Sequence, residues 1–252
     1  MDNPTSTTIF EPLTSLPPAK ARIGLILLHS DEIGEDAFTC IMPENEITVF
    51  TTRTGYDHSG GGFTLPTSFK AVTDTLPPAG RFDVLAFSCT SGTVALGAND
   101  LLSELQQARP GIKYTSPGVA GVAALQQLNA KNVALLTPYV IELHQKFLPF
   151  LRENGFDVVA DGTFNINIDS DICDLRTELI FSGAKTLVER SSPDALFVSC
   201  TSTPIVPHID HLERALGIPV VTSSQAMAWD ALRLAGYHKP VDGFGRLLSA
   251  SR

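Results

Sequence analysis

Two kinds of hydrophobic pattern alternate along this chain. Short, nearly unbroken apolar runs recur: "ARIGLILLHS" (21–30), "EITVFTTR" (46–53), "FDVLAFSCT" (82–90), "NVALLTP" (132–138), "FDVVADGTF" (156–164), "DALFVSCT" (194–201) and "IPVVTSS" (218–224). Runs of this length, closed by polar or turn-forming residues, predict strands buried on both faces of a parallel sheet. Between them lie segments with helical spacing of apolar positions: "TSFKAVTDTL", "NDLLSELQQA", "AGVAALQQLNA", "VIELHQKFLPFLRENG", "LRTELIFSGAKTLVE" and "HIDHLERALG". Strand alternating with helix predicts an α/β architecture with parallel sheets.

The pattern also repeats itself. "FDVLAFSCTSG" and "PDALFVSCTST" share Asp83/Asp194, Leu85/Leu196 and a whole Ser-Cys-Thr-Ser block, with Cys89 and Cys200 111 positions apart. "ARIGLILLHS" matches "KNVALLTPYV" in pattern at an offset of 110, and "GIKYTSPGVAGVAALQQL" resembles "GIPVVTSSQAMAWDALRL" at an offset of 106. Two copies are too few for a repeat array, so the offset predicts two similar α/β units. A pseudo-twofold axis between them brings equivalent loops face to face. The expected boundaries are 1–128 plus 225–252 for one unit and 129–224 for the other.

Both Ser-Cys-Thr-Ser blocks end a predicted strand and precede a helical segment. Ligands of open α/β sheets bind at the carboxyl ends of the strands. Hydroxyls and the N–H groups of a helix start suit a carboxylate and lower the pKa of a thiol. Cys89 and Cys200 are thus expected to be catalytic. One, as thiolate, removes a proton from a carbon next to a carboxylate, and the other returns one to the opposite face. A thiolate can also add to an activated double bond and leave after rotation. The other two cysteines, Cys40 and Cys173, are read as small buried hydrophobes.

Composition narrows the function classes. The 252 residues carry a net charge of −9, and no basic patch is available to neutralise nucleic acid phosphates. No apolar run reaches the roughly 18 residues of a membrane span. The N-terminal stretch has no basic region leading into an apolar one, so it does not read as a signal peptide. A cytoplasmic protein acting on small molecules is expected, with thiols kept reduced. No cysteine pair has zinc-site spacing.

The residues "RIGLILLHSDE", "LAFSCTSGTVALG", "LLTPY", "LFVSCTSTP" and "GIPVVTSSQAMAWDALRLAG" resemble the aspartate/glutamate racemase superfamily. Within it they are most similar to the maleate isomerase and arylmalonate decarboxylase branch, members associated with ectoine utilisation looking nearest. The resemblance spans Arg22 to Ala250. It implies two flavodoxin-like domains with four-stranded parallel sheets, an active site in the cleft between them, no cofactor and no metal. It implies Cys89 and Cys200 as the catalytic pair, and carboxylate or enediolate binding by Thr90, Ser91, Tyr139 and Thr201. Family decarboxylases carry glycine at the position of Cys89, which counts against decarboxylation here. Maleate isomerases carry asparagine where this chain has Asp31 and Asp169. An acid in those places repels a dicarboxylate. The expectation is therefore a substrate with one carboxylate and a cationic group facing Asp31 or Asp169. A racemase or isomerase, a malonate decarboxylase and a ligand-binding protein of the same fold all remain open, and a homodimer is compatible.

Three other features have plainer readings. "HSGGGF" (58–63) lacks the Lys-Ser/Thr of a phosphate loop and is expected to be a mobile loop, a lid over the cleft. His208 and His211 in "HIDH" lack a third ligand and read as a solvated helix face. Trp229 in "AMAWDAL" reads as helix packing.

Overall fold

The computed structural model describes residues 7–10, 19–57, 63–78 and 80–249. In chain order the elements are β1 (Ala21–Leu28), α1 (Gly34–Thr39), β2 (Ile47–Thr54), α2 (Phe69–Thr73), β3 (Val84–Ser88), α3 (Thr90–Leu96), α4 (Ala98–Ala108), β4 (Lys113–Thr115) and α5 (Pro117–Gln127). The second half continues with β5 (Asn132–Tyr139), α6 (Ile141–Glu153), β6 (Asp157–Ile166), α7 (Asp169–Cys173), α8 (Thr177–Ser191), β7 (Ala195–Val198), α9 (Ile209–Leu216), β8 (Val220–Thr222), α10 (Ser223–Leu234) and α11 (Arg246–Ser249).

These form two four-stranded parallel sheets with matching orders, β2-β1-β3-β4 and β6-β5-β7-β8. The predicted class is the one observed. The most continuous apolar runs, β1 and β5, take inner positions of their sheets, while β2 and β6 lie at edges and are mostly half-buried or exposed. Period-two alternation then splits each strand between two cores. Ile23, Leu25, Leu27, Val84 and Ala86 share one cluster with Val133, Leu135, Ala195 and Phe197 from the other sheet. Ile26, Leu85 and Phe87 face outward onto α2 and α4, and Ala134, Leu136 and Leu196 face outward onto α8 and α9. The result is five layers, with the central helices shared.

The helix after each last strand crosses to the other sheet. The α5 helix contacts β8, and its Gly121 lies so close to the Phe197 ring that a Cβ there would stand 2.9 Å from it. The α10 helix, which carries buried Trp229, packs on β3 and β4, and Thr115 donates to Asp230 at 2.6 Å.

The shared acids of the repeat have a structural task. Asp83 accepts the Arg22 N–H at 2.8 Å, and Asp194 accepts those of Lys131 and Asn132 at 2.9 and 2.7 Å. Each therefore fixes the entry of β1 or β5 at the sheet end opposite the cysteines.

Two expectations are corrected. Cys40 is exposed and Cys173 half-buried, so neither is a buried core residue, and all four thiols are free. The strand β4 was absent from the hydrophobic reading because it is three residues long and opens with a lysine. His208 and His211 are exposed, each in ring contact with Phe181, and no group of metal-binding side chains occurs among the described residues. Of the expected lid, residues 58–62 lie outside the described residues. Its base is an Asp57–Thr64 bridge, and Phe63 is buried. No helix among the described residues is long and apolar enough to cross a membrane.

Candidate functional site

The carboxyl ends of both sheets open onto one cavity of about 530 Å³. Cys89, Thr90, Ser91, Tyr139, Asp169, Cys200 and Thr201 all line it, together with Tyr56, Ser202, Glu142 and Lys146. An apolar wall of Phe63, Ala95, Val140, Leu143, Ile166 and Ile172 completes it. Asp31 is the one predicted site residue outside the lining.

The two cysteines are held differently. Cys89 leaves β3 in an extended conformation and caps α3, its Sγ accepting the Gly92 N–H at 3.2 Å and lying 3.4 Å from Ser91 Oγ. A Cβ on Gly92 would stand 2.8 Å from the Phe63 ring and 3.1 Å from Cys89 Sγ, so this close approach requires glycine. Cys200 adopts φ +100°, a conformation that costs an L-residue on the order of 1–3 kcal/mol. Its N–H donates to Ser223 Oγ at 3.0 Å. No helix follows it directly. Pro204 intervenes, and helical structure resumes only with a 3-10 turn at Val206–His208 before α9. The expectation of a helix start behind both cysteines holds for Cys89 alone.

Thiol ionisation also departs from expectation. Burial pushes Cys89 up to about 11, outweighing the hydrogen bonds from Ser91 and the Gly92 N–H, and the Asp169 and Asp31 charges add to it. Burial likewise pushes Cys200 up to about 12, against the Ser202 N–H, with Asp31 raising it further and Tyr139 opposing. Desolvation of the charged form exceeds the pull of the donors at both sites. With these surroundings both are neutral thiols at pH 7.

The hydroxyls divide into ties and lining groups. Thr90 donates to Ser223 Oγ at 2.9 Å, so Ser223 bridges the two cysteine loops. Thr201 donates to Asp31 at 3.3 Å. Asp31 is buried and also accepts the Gly34 and Ile33 N–H groups at 2.7 and 3.3 Å. Burial raises its pKa while these donors lower it. Gly34 leaves the room for that carboxylate, since a Cβ would stand 2.1 Å from Asp31 Oδ2. Asp31 therefore joins the β1 loop to the Cys200 loop, and it lies outside the cavity lining. Tyr139 is buried, lies 3.4 Å from Ser199 Oγ and stacks on Phe147, with burial holding its phenol protonated. Asp169 sits at the start of α7 and accepts from Ser30 at 2.7 Å and from Tyr56. Burial and this hydrogen bond push Tyr56 up to about 12.

Ser30, Tyr56, Ser202 and Ser223 were not among the predicted site residues. Ser223 had only a weak signal, because it stands in the repeated "YTSPG"/"VVTSS" block opposite Pro117, at the start of the equivalent helix. Ser30 and Tyr56 had none beyond their strand-end positions.

Comparison with known proteins agrees with this geometry. A profile of the arylmalonate decarboxylase family matches residues 87–248. The maleate isomerase of Nocardia farcinica is 33% identical over 128 residues, 50% of this chain and 51% of that one, so this match spans about half the relative's length. The arylmalonate decarboxylase of Bordetella bronchiseptica is 28% identical over 204 residues, 76% of this chain and 84% of that one. The solved structure of the Nocardia farcinica maleate cis-trans isomerase bound to TRIS superposes with a TM-score of 0.76 at 26% identity, covering 91% of this chain and 98% of that one.

Proposed function

Because this chain belongs to the arylmalonate decarboxylase family, we propose that it is a cofactor-independent isomerase acting at a carbon next to a carboxylate, with Cys89 and Cys200 as its working thiols. The supporting observation is that both thiols, from duplicated strand ends, line one cavity. A single-thiol reaction gives no reason to keep two.

In this reading the substrate carboxylate meets the Ser91 and Tyr139 hydroxyls and the N–H groups of the first turn of α3. Negative charge gathers on that carboxylate as the adjacent carbon loses its proton, and these donors stabilise it. One cysteine, as thiolate, takes the proton and becomes a thiol. The other gives its proton to the opposite face and becomes a thiolate. After one turnover the pair has exchanged protonation states, so the reverse reaction starts from the product form. Ser223, Thr90, Asp31 and Thr201 hold the two loops at a fixed separation. Four free thiols suit a reducing, cytoplasmic setting.

A second reading draws support from the similarity to a protein named maleate isomerase. There one thiolate adds to a double bond, the adduct rotates, and the thiolate leaves.

Solvent-deuterium exchange separates these readings. Racemisation places deuterium at Cα without loss of carbon dioxide, and addition–elimination isomerises the alkene with no obligatory deuterium. Cys89→Ser and Cys200→Ser should each cost about 10²–10⁴-fold in turnover. In the two-base mechanism each variant should still exchange Cα–H of one enantiomer better than the other. Release of carbon dioxide, or turnover indifferent to both substitutions, overturns the proposal.

A further inference from the structure

We propose that the cavity selects a carboxylate that also bears a cationic group, with Asp169 as the seat of that cation, and that it disfavours dicarboxylates. This deepens the proposed function and rests on it.

The geometry around Asp169 carries the argument. Its carboxylate lines the cavity, yet its bonds to Ser30 and Tyr56 both end on one oxygen, Oδ2. Among the described residues Oδ1 accepts no hydrogen bond. The two donors come from the β1 and β2 ends of the first half, and Asp169 from the second. The carboxylate is thus anchored across the cleft through one oxygen, with the other left for a ligand. Tyr56 and Ser30 are positioning residues in this arrangement.

The charges around the cavity point the same way. The lining has two carboxylates, Asp169 and Glu142, against one ammonium, Lys146. Its remaining polar atoms come chiefly from neutral hydroxyls and thiols. The first carboxylate of a substrate can use those hydroxyls. A second one near Asp169 faces a like charge in a partly desolvated site, whereas an ammonium there is paired.

The same arrangement answers a question left by the thiols. Asp169 is among the charges that raise Cys89. A ligand cation at Asp169 offsets that charge and favours the thiolate. A cation-bearing substrate thereby helps to make the base that attacks it, and a dicarboxylate does the reverse.

The test uses the full chain with three probes: alanine, lysine and maleate. Binding is read by calorimetry, and turnover by Cα deuteration for the amino acids and alkene isomerisation for maleate. The expected result is binding and exchange of an amino acid with weaker handling of maleate. Asp169→Asn, which keeps an acceptor for Ser30 and Tyr56, should cut amino-acid kcat/KM by about 10–100-fold, mostly through KM. It should also improve maleate binding. If that variant fails to fold, Tyr56→Phe removes one anchor and keeps the charge, and should raise amino-acid KM by about 3–10-fold. Better binding of maleate than of either amino acid by the wild type overturns the proposal, as does an unchanged preference in Asp169→Asn. Loss of strong maleate binding in Lys146→Met would assign the distal group to Lys146 and also overturn it. Amino-acid binding that survives while Cys89→Ser leaves turnover untouched would instead overturn the two-thiol reading and leave the binding preference standing.

Discussion

The Cys89 and Cys200 loops begin from the same four residues and end in different structures. Cys89 runs straight into α3, capped by its own sulfur, with the Phe63 ring against Gly92. Cys200 turns through a positive φ, is followed by Pro204, and is held from outside by Ser223. Even the orphaned hydroxyls mark the divergence. Ser88 and Ser116 have buried oxygens without a partner among the described residues, while their counterparts Ser199 and Thr222 are bonded to Tyr139 and to the Gln225 N–H. Duplication supplied two thiols, and the surroundings then made one local in its support and the other dependent on distant residues.

The largest test of this difference replaces each cysteine by glycine. Both variants should lose about 10²–10⁴-fold in turnover. Their stabilities should part. Cys89→Gly forfeits a cap and a buried thiol and should fall by about 1–2 kcal/mol. Cys200→Gly loses the thiol but releases the positive-φ strain, and should stay within about 1 kcal/mol of the wild type in denaturant unfolding. Equal losses would show the two loops to be equivalent after all.

Gly92→Ala presses only on the Cys89 side. The added methyl meets Phe63 and the sulfur, and should destabilise by about 1–3 kcal/mol and slow turnover by about 10²-fold. Stability against pH gives a smaller signal. The folded Cys89 thiol titrates at about 11, above the roughly 8.5 of an unfolded cysteine. Below the unfolded value both states are protonated and this contribution is fully present. It is lost as pH rises from about 9 through 11, on the order of 3 kcal/mol. Cys89→Ser should flatten that part of the stability curve. The smallest effect belongs to the ends of the sheets where the halves still agree. Asp83→Ala and Asp194→Ala should each cost about 1 kcal/mol, since both acids are exposed, and leave KM unchanged.

Much of this architecture is written in local pattern. Seven of the strands follow from apolar runs, because strands covered on both faces have no polar side to interrupt them. The thiols and the adjoining hydroxyls stand in a duplicated block at strand ends, whereas Tyr139 comes from the family resemblance. What escaped reading depends on contacts between distant segments. Asp31 was expected to face a ligand, but Gly34 gives its carboxylate a backbone donor on its own side and Thr201 gives it one across the cleft. The helix-start rule promised acidic thiols, and burial reversed the sign at both. Ser30 and Tyr56 acquire their meaning only when α7 brings Asp169 against them.

The crossing of α5 and α10 bears on how the chain is born. The first sheet is complete once β4 has been made, yet α10, the helix that packs on β3 and β4, follows the last strand of the second sheet. During synthesis the inward row of Ile23, Leu25, Leu27, Val84 and Ala86 must therefore wait for nearly the whole protein before it is covered. The first half therefore cannot complete its packing before α10 has been made, and a nascent chain halted after β4 is expected to be prone to aggregation.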